Sequence, residues 1–415
     1  MIVRHIGCVV RTLGETLVAA LPGARIGHGV RVCSASGSIA GEVAAVERAR
    51  VAIVPFGSLV GVAVGDRVEL DDAARGAPLG FAALGRALDA AGAALDGGDA
   101  LRTVHVRVDR VRLEPRERRE IRQPFWTGVP ALDGLLTIGR GARVGFFGAP
   151  GAGKTALLES IASGAQADAV VLALIGERGR EAQAWIERCN PRTTIVCATS
   201  DRSSAERIRA ADVAMVQARL LRERGLHVVL IVDSLARYCA ALREQRVALG
   251  EAVGRGGYPP SVWADLARFL ECAGNAHDGS VTLLATVISD GADEREPLSD
   301  AARSLLDGHV ILSSALARAG HFPAIDVLAS ASRTMGAVAD AQQVADARAV
   351  RAALAMLADS RDARDLGLAA VTPALGAAVA AEPALNAFLR QAVPTSPEDM
   401  RRDLRAVAAL FEVHQ

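Results

Sequence analysis

The chain has 415 residues, 51% apolar and 23% charged, which fits a folded soluble protein with a sizeable core and excludes a peptide module or a long disordered tail. Forty-seven basic residues balance 47 acidic ones, so no global field draws the chain to nucleic acid or anionic lipid, and any such contact must be local. The late uncharged stretch Leu366–Ala381 is short and broken by Gly367, Pro373 and Gly376, which excludes a membrane span, and Met1-Ile-Val-Arg-His5 lacks the apolar core of a signal peptide.

A cytosolic protein is therefore expected. Its cysteines, Cys8, Cys33, Cys189, Cys197, Cys239 and Cys272, show no paired spacing, which disfavours a zinc ribbon or a disulfide framework and leaves free buried thiols as the expectation. Of the 47 basic residues only Lys154 is lysine. A compact ammonium with three rotatable donors is not replaced by a planar guanidinium, so position 154 is marked for chemistry.

In chain order, the first 72 residues carry short apolar runs, from Ile2-Val3 and Gly7–Val10 to Arg67–Leu70, punctuated by Gly, Pro and Ser. This rhythm predicts a small antiparallel β-domain, a barrel. Seven arginines lie between Arg107 and Arg122, interleaved with Asp109, Glu114, Glu117 and Glu120; a solvated linker or subunit contact is expected there rather than a nucleic-acid site.

From Arg143 the pattern changes to apolar strand, turn and helix, with strand runs at Arg143–Phe147, Ala169–Ile175, Thr193–Ala198, His227–Val232 and Val281–Ile288. Fully apolar strands separated by helices predict a mainly parallel sheet covered on both faces, an α/β fold. After Gly336 strand runs cease, and the remainder is expected to be helical.

The run Arg143–Phe147 leads into Gly148-Ala149-Pro150-Gly151-Ala152-Gly153-Lys154-Thr155 and then a helical segment. This is GxxxxGK[ST] in strand-loop-helix context, the nucleotide-binding phosphate loop. Glycines let backbone N–H groups curl around phosphate oxygens, the helix N-terminus adds its dipole, and Lys154 reaches the β- and γ-phosphates. Thr155 is the expected hydroxyl ligand of Mg²⁺.

The strand His227–Val232 delivers Asp233 at its end, where a carboxylate can hold the magnesium hydration shell or, alternatively, cap the next helix. Between them, Val170–Ile175 ends in Gly176-Glu177-Arg178-Gly179-Arg180-Glu181. Glu177 is the candidate to orient and polarise water, with Glu181 pairing Arg178 or Arg180 as the purely structural alternative.

This order of motifs resembles the ATPase of type III protein secretion, shared by injectisomes and flagellar export and related to the catalytic subunit of rotary ATP synthases. The resemblance is carried by Leu84-Gly-Arg-Ala-Leu-Asp-Ala90, Thr127-Gly-Val-Pro-Ala-Leu-Asp-Gly-Leu-Leu136, Gly176–Glu181, Asp233-Ser-Leu-Ala-Arg-Tyr238, Gly257-Tyr-Pro-Pro-Ser-Val262, Ser304-Leu-Leu-Asp-Gly-His309 and Gly320-His-Phe-Pro-Ala-Ile-Asp326.

It implies an N-terminal antiparallel β-barrel (residues 1–72), a RecA-like P-loop NTPase core (73–340) and a C-terminal helical domain (341–415), assembled as a homohexamer with nucleotide between subunits. Glu177 matches the family's catalytic glutamate, Arg178 would contact the γ-phosphate, and Arg333 matches the finger reaching a neighbour's nucleotide. Phe322 stands where the family usually has a tyrosine packing on adenine. The N-terminus is short relative to the family, which puts in doubt a membrane-associating extension.

The loop Gly250–Tyr258 would face a central channel, so that Glu251, Arg255 and Tyr258 meet a stalk protein or substrate, a flexible surface loop being the alternative. The implied activity is Mg²⁺-dependent ATP hydrolysis powering chaperone release, substrate unfolding and export at the cytoplasmic face of the inner-membrane apparatus. The implied partners are a central stalk protein, a negative regulator or stator protein, an export gate and chaperone–effector complexes, without nucleic acid. A rotary synthase or proton-pump subunit, a non-hydrolysing nucleotide-binding subunit and a Rho-like translocase are the rival readings.

Overall fold

The computed structural model describes residues 5–288, 296–366, 372–390 and 394–412. Residues 1–4, which carry the signal-peptide reading and the Ile2-Val3 run, and residues 367–371 of Leu366–Ala381 lie outside the described residues.

Six strands open the chain: β1 (Ile6–Leu13), β2 (Thr16–Ala20), β3 (Gly29–Ser34), β4 (Gly37–Glu47), β5 (Arg50–Pro55) and β6 (Arg67–Leu70). They close into an antiparallel barrel in the order β1-β2-β5-β4-β3-β6. Alternation explains the closure: Val30 and Val32 on β3, like Leu17, Val43, Ile53 and Val68, are fully buried inside, while intervening residues face outward.

The principal elements that follow are β7 (Ala87–Leu88), α1 (Pro130–Leu135), β8 (Arg143–Gly148), α2 (Lys154–Gly164), β9 (Ala169–Glu177), α3 (Gly179–Glu187), β10 (Thr193–Thr199), α4 (Ser204–Arg222), β11 (His227–Asp233), α5 (Leu235–Ala248), α6 (Pro260–Leu270), β12 (Ser280–Ile288), α7 (Pro297–Leu305), β13 (Gly308–Leu312), β14 (Ile325–Ser332), α8 (Ala341–Asp359), α9 (Pro373–Leu389) and α10 (Pro397–Glu412). The chain divides into two compact units, one of residues 1–114 and 169–273, the other of residues 115–168 and 274–415.

In the first unit, beside the barrel, β11, β9, β10 and β7 run parallel in that order. All nine residues of β9 are buried, as a strand covered on both faces requires. Helix α4 starts with a capping box, in which the Ser203 side chain accepts from the Glu206 N–H and Glu206 reaches back to Ser203.

In the second unit the order is β14-β13-β8-β12, with β13, β8 and β12 parallel and β14 antiparallel to β13. The start of α1 is organised by Asp133, fully buried, whose carboxylate accepts from the Thr127 N–H (2.9 Å), the Thr127 hydroxyl (2.7 Å) and the Gly128 N–H (2.9 Å). Helices α8, α9 and α10 close this unit, burying Ala347, Val350 and Leu357, then Ala378, Ala381 and Leu385, then Leu404 and Ala408, each set at helical spacing. No described helix is long and apolar enough to cross a membrane.

Two expectations change. All six cysteines are free, but only Cys197, Cys239 and Cys272 are buried and Cys8 is exposed. The arginines of 107–122 are not uniformly solvated: Arg110 turns inward in the first unit onto Asp212 (2.5 and 3.1 Å).

Candidate nucleotide site

The second unit holds the phosphate loop. Strand β8 buries Phe146 and Phe147 and ends at Gly148, and the loop reaches α2 through Gly151 (φ 82°) and Gly153 (φ 89°). Both sit in the left-handed region, where an L side chain is strained.

The Lys154 ammonium opens α2 and donates to the carbonyls of Gly148 (2.6 Å) and Ala149 (2.8 Å). No side chain caps α2, so its first N–H groups suit an external acceptor, and phosphate oxygens are the acceptor such a terminus favours. Thr155 is exposed on this first turn.

Phe322 belongs to the same place. A Cβ on Gly153 would lie 3.4 and 3.5 Å from two of its ring carbons, and the residue is 47% exposed. An accessible aromatic face therefore stands directly against the phosphate loop, where an adenine ring can pack on it.

Arg333 is placed elsewhere. It follows Ser332, which pairs with Gly308 at the start of β13, and Gly308 pairs with Val144 near the start of β8. The phosphate loop leaves the other end of β8. Arg333 is exposed, its N–H bonded to the Asp307 carbonyl (3.0 Å), at the sheet edge opposite its own chain's loop.

In the first unit, β9 and β11 are adjacent and parallel, Leu174 pairing with Asp233. Glu177 and Asp233 thus both stand at the C-terminal edge of the sheet, each 7% exposed. The cap of α5 is Ser234, whose hydroxyl accepts from the Arg237 N–H (3.3 Å). Asp233 is therefore not the side chain that caps α5.

From the first turn of α5 the Arg237 guanidinium forms an ion pair with the Glu177 carboxylate. Gly176 makes room: a Cβ there would stand 3.1 Å from Arg237 Cδ. Burial pushes the Glu177 carboxyl up, but its bonds to Arg237 and Glu181 outweigh burial and hold it below the usual range. Glu181 is raised, chiefly by its hydrogen bond to Glu177. Of the two carboxyls Glu177 is the one held toward its ionised form, the form that can accept a proton from water.

Arg178 is exposed, its Nη1 3.9 Å from Glu181, free enough to reach a ligand. Arg237 escaped the sequence reading, although its place four residues after Asp233 puts it on the first helical turn above the strand ends.

Among the described residues no three His, Cys, Asp or Glu side chains cluster as a metal cage. Magnesium needs none, because it keeps waters and takes one or two protein ligands plus phosphates. The Thr155 hydroxyl in the second unit and the Asp233 carboxylate in the first are each, taken singly, of a donor type that it accepts.

The 250–258 loop makes contacts with the helices that flank it. Glu251 accepts from the Ser261 hydroxyl (2.5 Å) and N–H (3.1 Å), and Tyr258 packs on Trp263, ring centres 4.9 Å apart, with Arg243 over its ring.

Comparison with known proteins places the chain beside the following relatives. The family model of the ATP synthase alpha/beta family, nucleotide-binding domain, matches residues 128–332. The chain is 40% identical over 420 residues to the flagellum-specific ATP synthase of Pseudomonas aeruginosa, covering 98% of this chain and 93% of that protein. It is 41% identical over 398 residues to the type 3 secretion system ATPase of Sinorhizobium fredii, covering 93% and 88%. The fold matches the assembled ATPase EscN from the enteropathogenic E. coli type III secretion system with a TM-score of 0.91 at 34% identity, over 97% of this chain and 100% of that one. EscN in complex with its central stalk EscO matches with a TM-score of 0.88 at 34% identity, over the same shares of the two chains.

Proposed function

The chain belongs to the ATP synthase alpha/beta family, among the ATPases of type III secretion and flagellar export, and from that membership we propose that it hydrolyses ATP with Mg²⁺ to drive chaperone release, substrate unfolding and export of proteins. The observation that carries hydrolysis, rather than nucleotide binding alone, is Glu177. It is a carboxylate at the end of a buried strand, held toward its ionised form by Arg237.

In this reading the backbone of residues 148–153 and the Lys154 ammonium hold the β- and γ-phosphates. Thr155 and Asp233 hold the magnesium ion, which when bound supplies positive charge to the phosphate oxygens. Glu177 orients and polarises the attacking water, and Arg178 contacts the γ-phosphate. Phe322 packs on adenine; its ring face preserves the stacking expected of tyrosine, without the hydroxyl.

Arg333 points to a neighbouring subunit as the place where it acts, since it stands at the sheet edge away from its own loop. The reading includes a homohexamer with nucleotide between subunits, in three domains of residues 1–72, 73–340 and 341–415, and the likeness to assembled EscN supports the assembly. A central stalk is the partner favoured by the likeness to EscN, described in complex with its stalk EscO. A regulator or stator, an export gate and chaperone–effector complexes complete the partners, and the cytoplasmic face of the inner membrane is the place of work.

The test is phosphate release from ATP by the purified chain, with and without Mg²⁺, beside its Lys154→Ala variant. Magnesium-dependent release that Lys154→Ala abolishes, together with loss of nucleotide binding, supports the assignment. A wild-type chain that assembles and binds ATP but releases no phosphate refutes it.

A further inference from the structure

Within the first unit, between the barrel and helices α4, α5 and α6, lies a cavity of about 340 Å³ whose wall carries five arginines and three carboxylates. Most of these charges are matched. Arg110 is paired to Asp212 (2.5 Å), Asp265 takes Arg246 (2.7 Å) and Arg268 (2.9 Å), and Arg75 contacts Glu42 (3.3 Å) and Asp109 (2.7 Å).

Arg209 is the exception. It is 5% exposed, and its guanidinium has only neutral partners: Nε donates to the Ala90 carbonyl (2.9 Å), Nη2 to the Gly76 carbonyl (3.1 Å), and the group lies 4.2 Å from the centre of the Phe56 ring. Among the described residues no carboxylate is hydrogen-bonded to it, and Nη1 is left over. Burial pushes it down to about 10, with Asp212 and Glu42 acting against burial, so it stays charged at neutral pH.

A buried guanidinium with no carboxylate bonded directly to it is costly, because such groups are ordinarily ion-paired in contact. A guanidinium fixed on an aromatic face with a spare edge facing a cavity is a ready holder of an oxyanion.

We propose that this cavity binds a compact oxyanion, of phosphate or polycarboxylate type, on Arg209 with Arg75 and Arg268 around it. The site uses none of the residues of the phosphate loop.

The test is calorimetric titration of the full chain carrying Lys154→Ala, which removes the ammonium of the phosphate loop, with pyrophosphate and separately with citrate. One saturable site is expected for at least one anion, the tighter of the two telling a phosphate from a carboxylate source. Arg209→Gln should weaken it at least tenfold. Because that change also removes the bonds to Ala90 and Gly76 and can unfold the region, Ala44→Glu is the second variant: it sets a carboxylate at a half-buried position of the wall and should weaken binding equally. No saturable binding of either anion, or binding undiminished in a folded Ala44→Glu chain, overturns the proposal.

Discussion

The Arg237 guanidinium is ion-paired to the Glu177 carboxylate, joining the first turn of α5 to the end of β9. The pair sets the charge of the group expected to work on water, because burial alone would push Glu177 up and Arg237 is the largest opposing influence.

A pH dependence follows with a definite sign. If the ionised carboxylate is the active form, turnover is lost as pH falls through the Glu177 pKa. Removing Arg237 leaves burial to act, so Arg237→Ala should move the acid limb of the kcat/KM profile to higher pH, whereas Arg237→Lys, which keeps a positive charge, should move it less. An acid limb in the same place for wild type and Arg237→Ala would separate Arg237 from Glu177.

Phe322 should act on nucleotide affinity. Loss of a stacked ring removes about 1 kcal/mol, so Phe322→Ala should raise the KM for ATP several-fold with a smaller change in kcat, and Phe322→Tyr should stay near wild type. Steady-state kinetics distinguishes these outcomes, and an unchanged KM in Phe322→Ala would remove the ring from the site.

Arg333 should act in trans. Lys154→Ala spoils the site of its own protomer and Arg333→Ala that of a neighbour, so each pure variant should be inactive. Co-assembled at equal ratio, roughly a quarter of the interfaces of a cyclic oligomer regain every part. Recovery of phosphate release in verified mixed rings is the expected result; its absence, with binding and assembly intact, speaks against a trans-acting Arg333.

Asp133 lies outside the chemistry and should show itself in stability. Its carboxylate takes three hydrogen bonds in a fully buried setting, so Asp133→Ala should destabilise the chain by about 2–4 kcal/mol in denaturant unfolding, chiefly through the donors left unpaired. A loss below about 1 kcal/mol would mean that the loop relaxes to other acceptors.

The barrel and the strand-loop-helix of the phosphate loop were legible because their signals are local: alternation for β3, and a glycine-rich run between an apolar strand and Lys154. Glu177 and Asp233 were legible as carboxylates ending apolar strands. In the sequence Asp233 reads equally as ligand or cap; in the fold the cap of α5 is Ser234. What was hidden depends on side chains meeting across long separations. Arg237 lies 60 residues from Glu177 in sequence, and Arg110 finds Asp212 more than a hundred residues away. Arg209 is one arginine among 46 until its neighbours prove to be carbonyls and a ring. Composition reads such residues as surface charge, and only packing tells them apart.

The most direct test of the assignment is Glu177→Gln, which keeps shape and removes charge. Nucleotide affinity measured by equilibrium binding should stay close to wild type, because Lys154 and the loop backbone hold the phosphates, while steady-state phosphate release should fall by at least a hundredfold, in the range of a lost general base. Near-wild-type turnover by a folded, nucleotide-binding Glu177→Gln chain would contradict the catalytic role of Glu177.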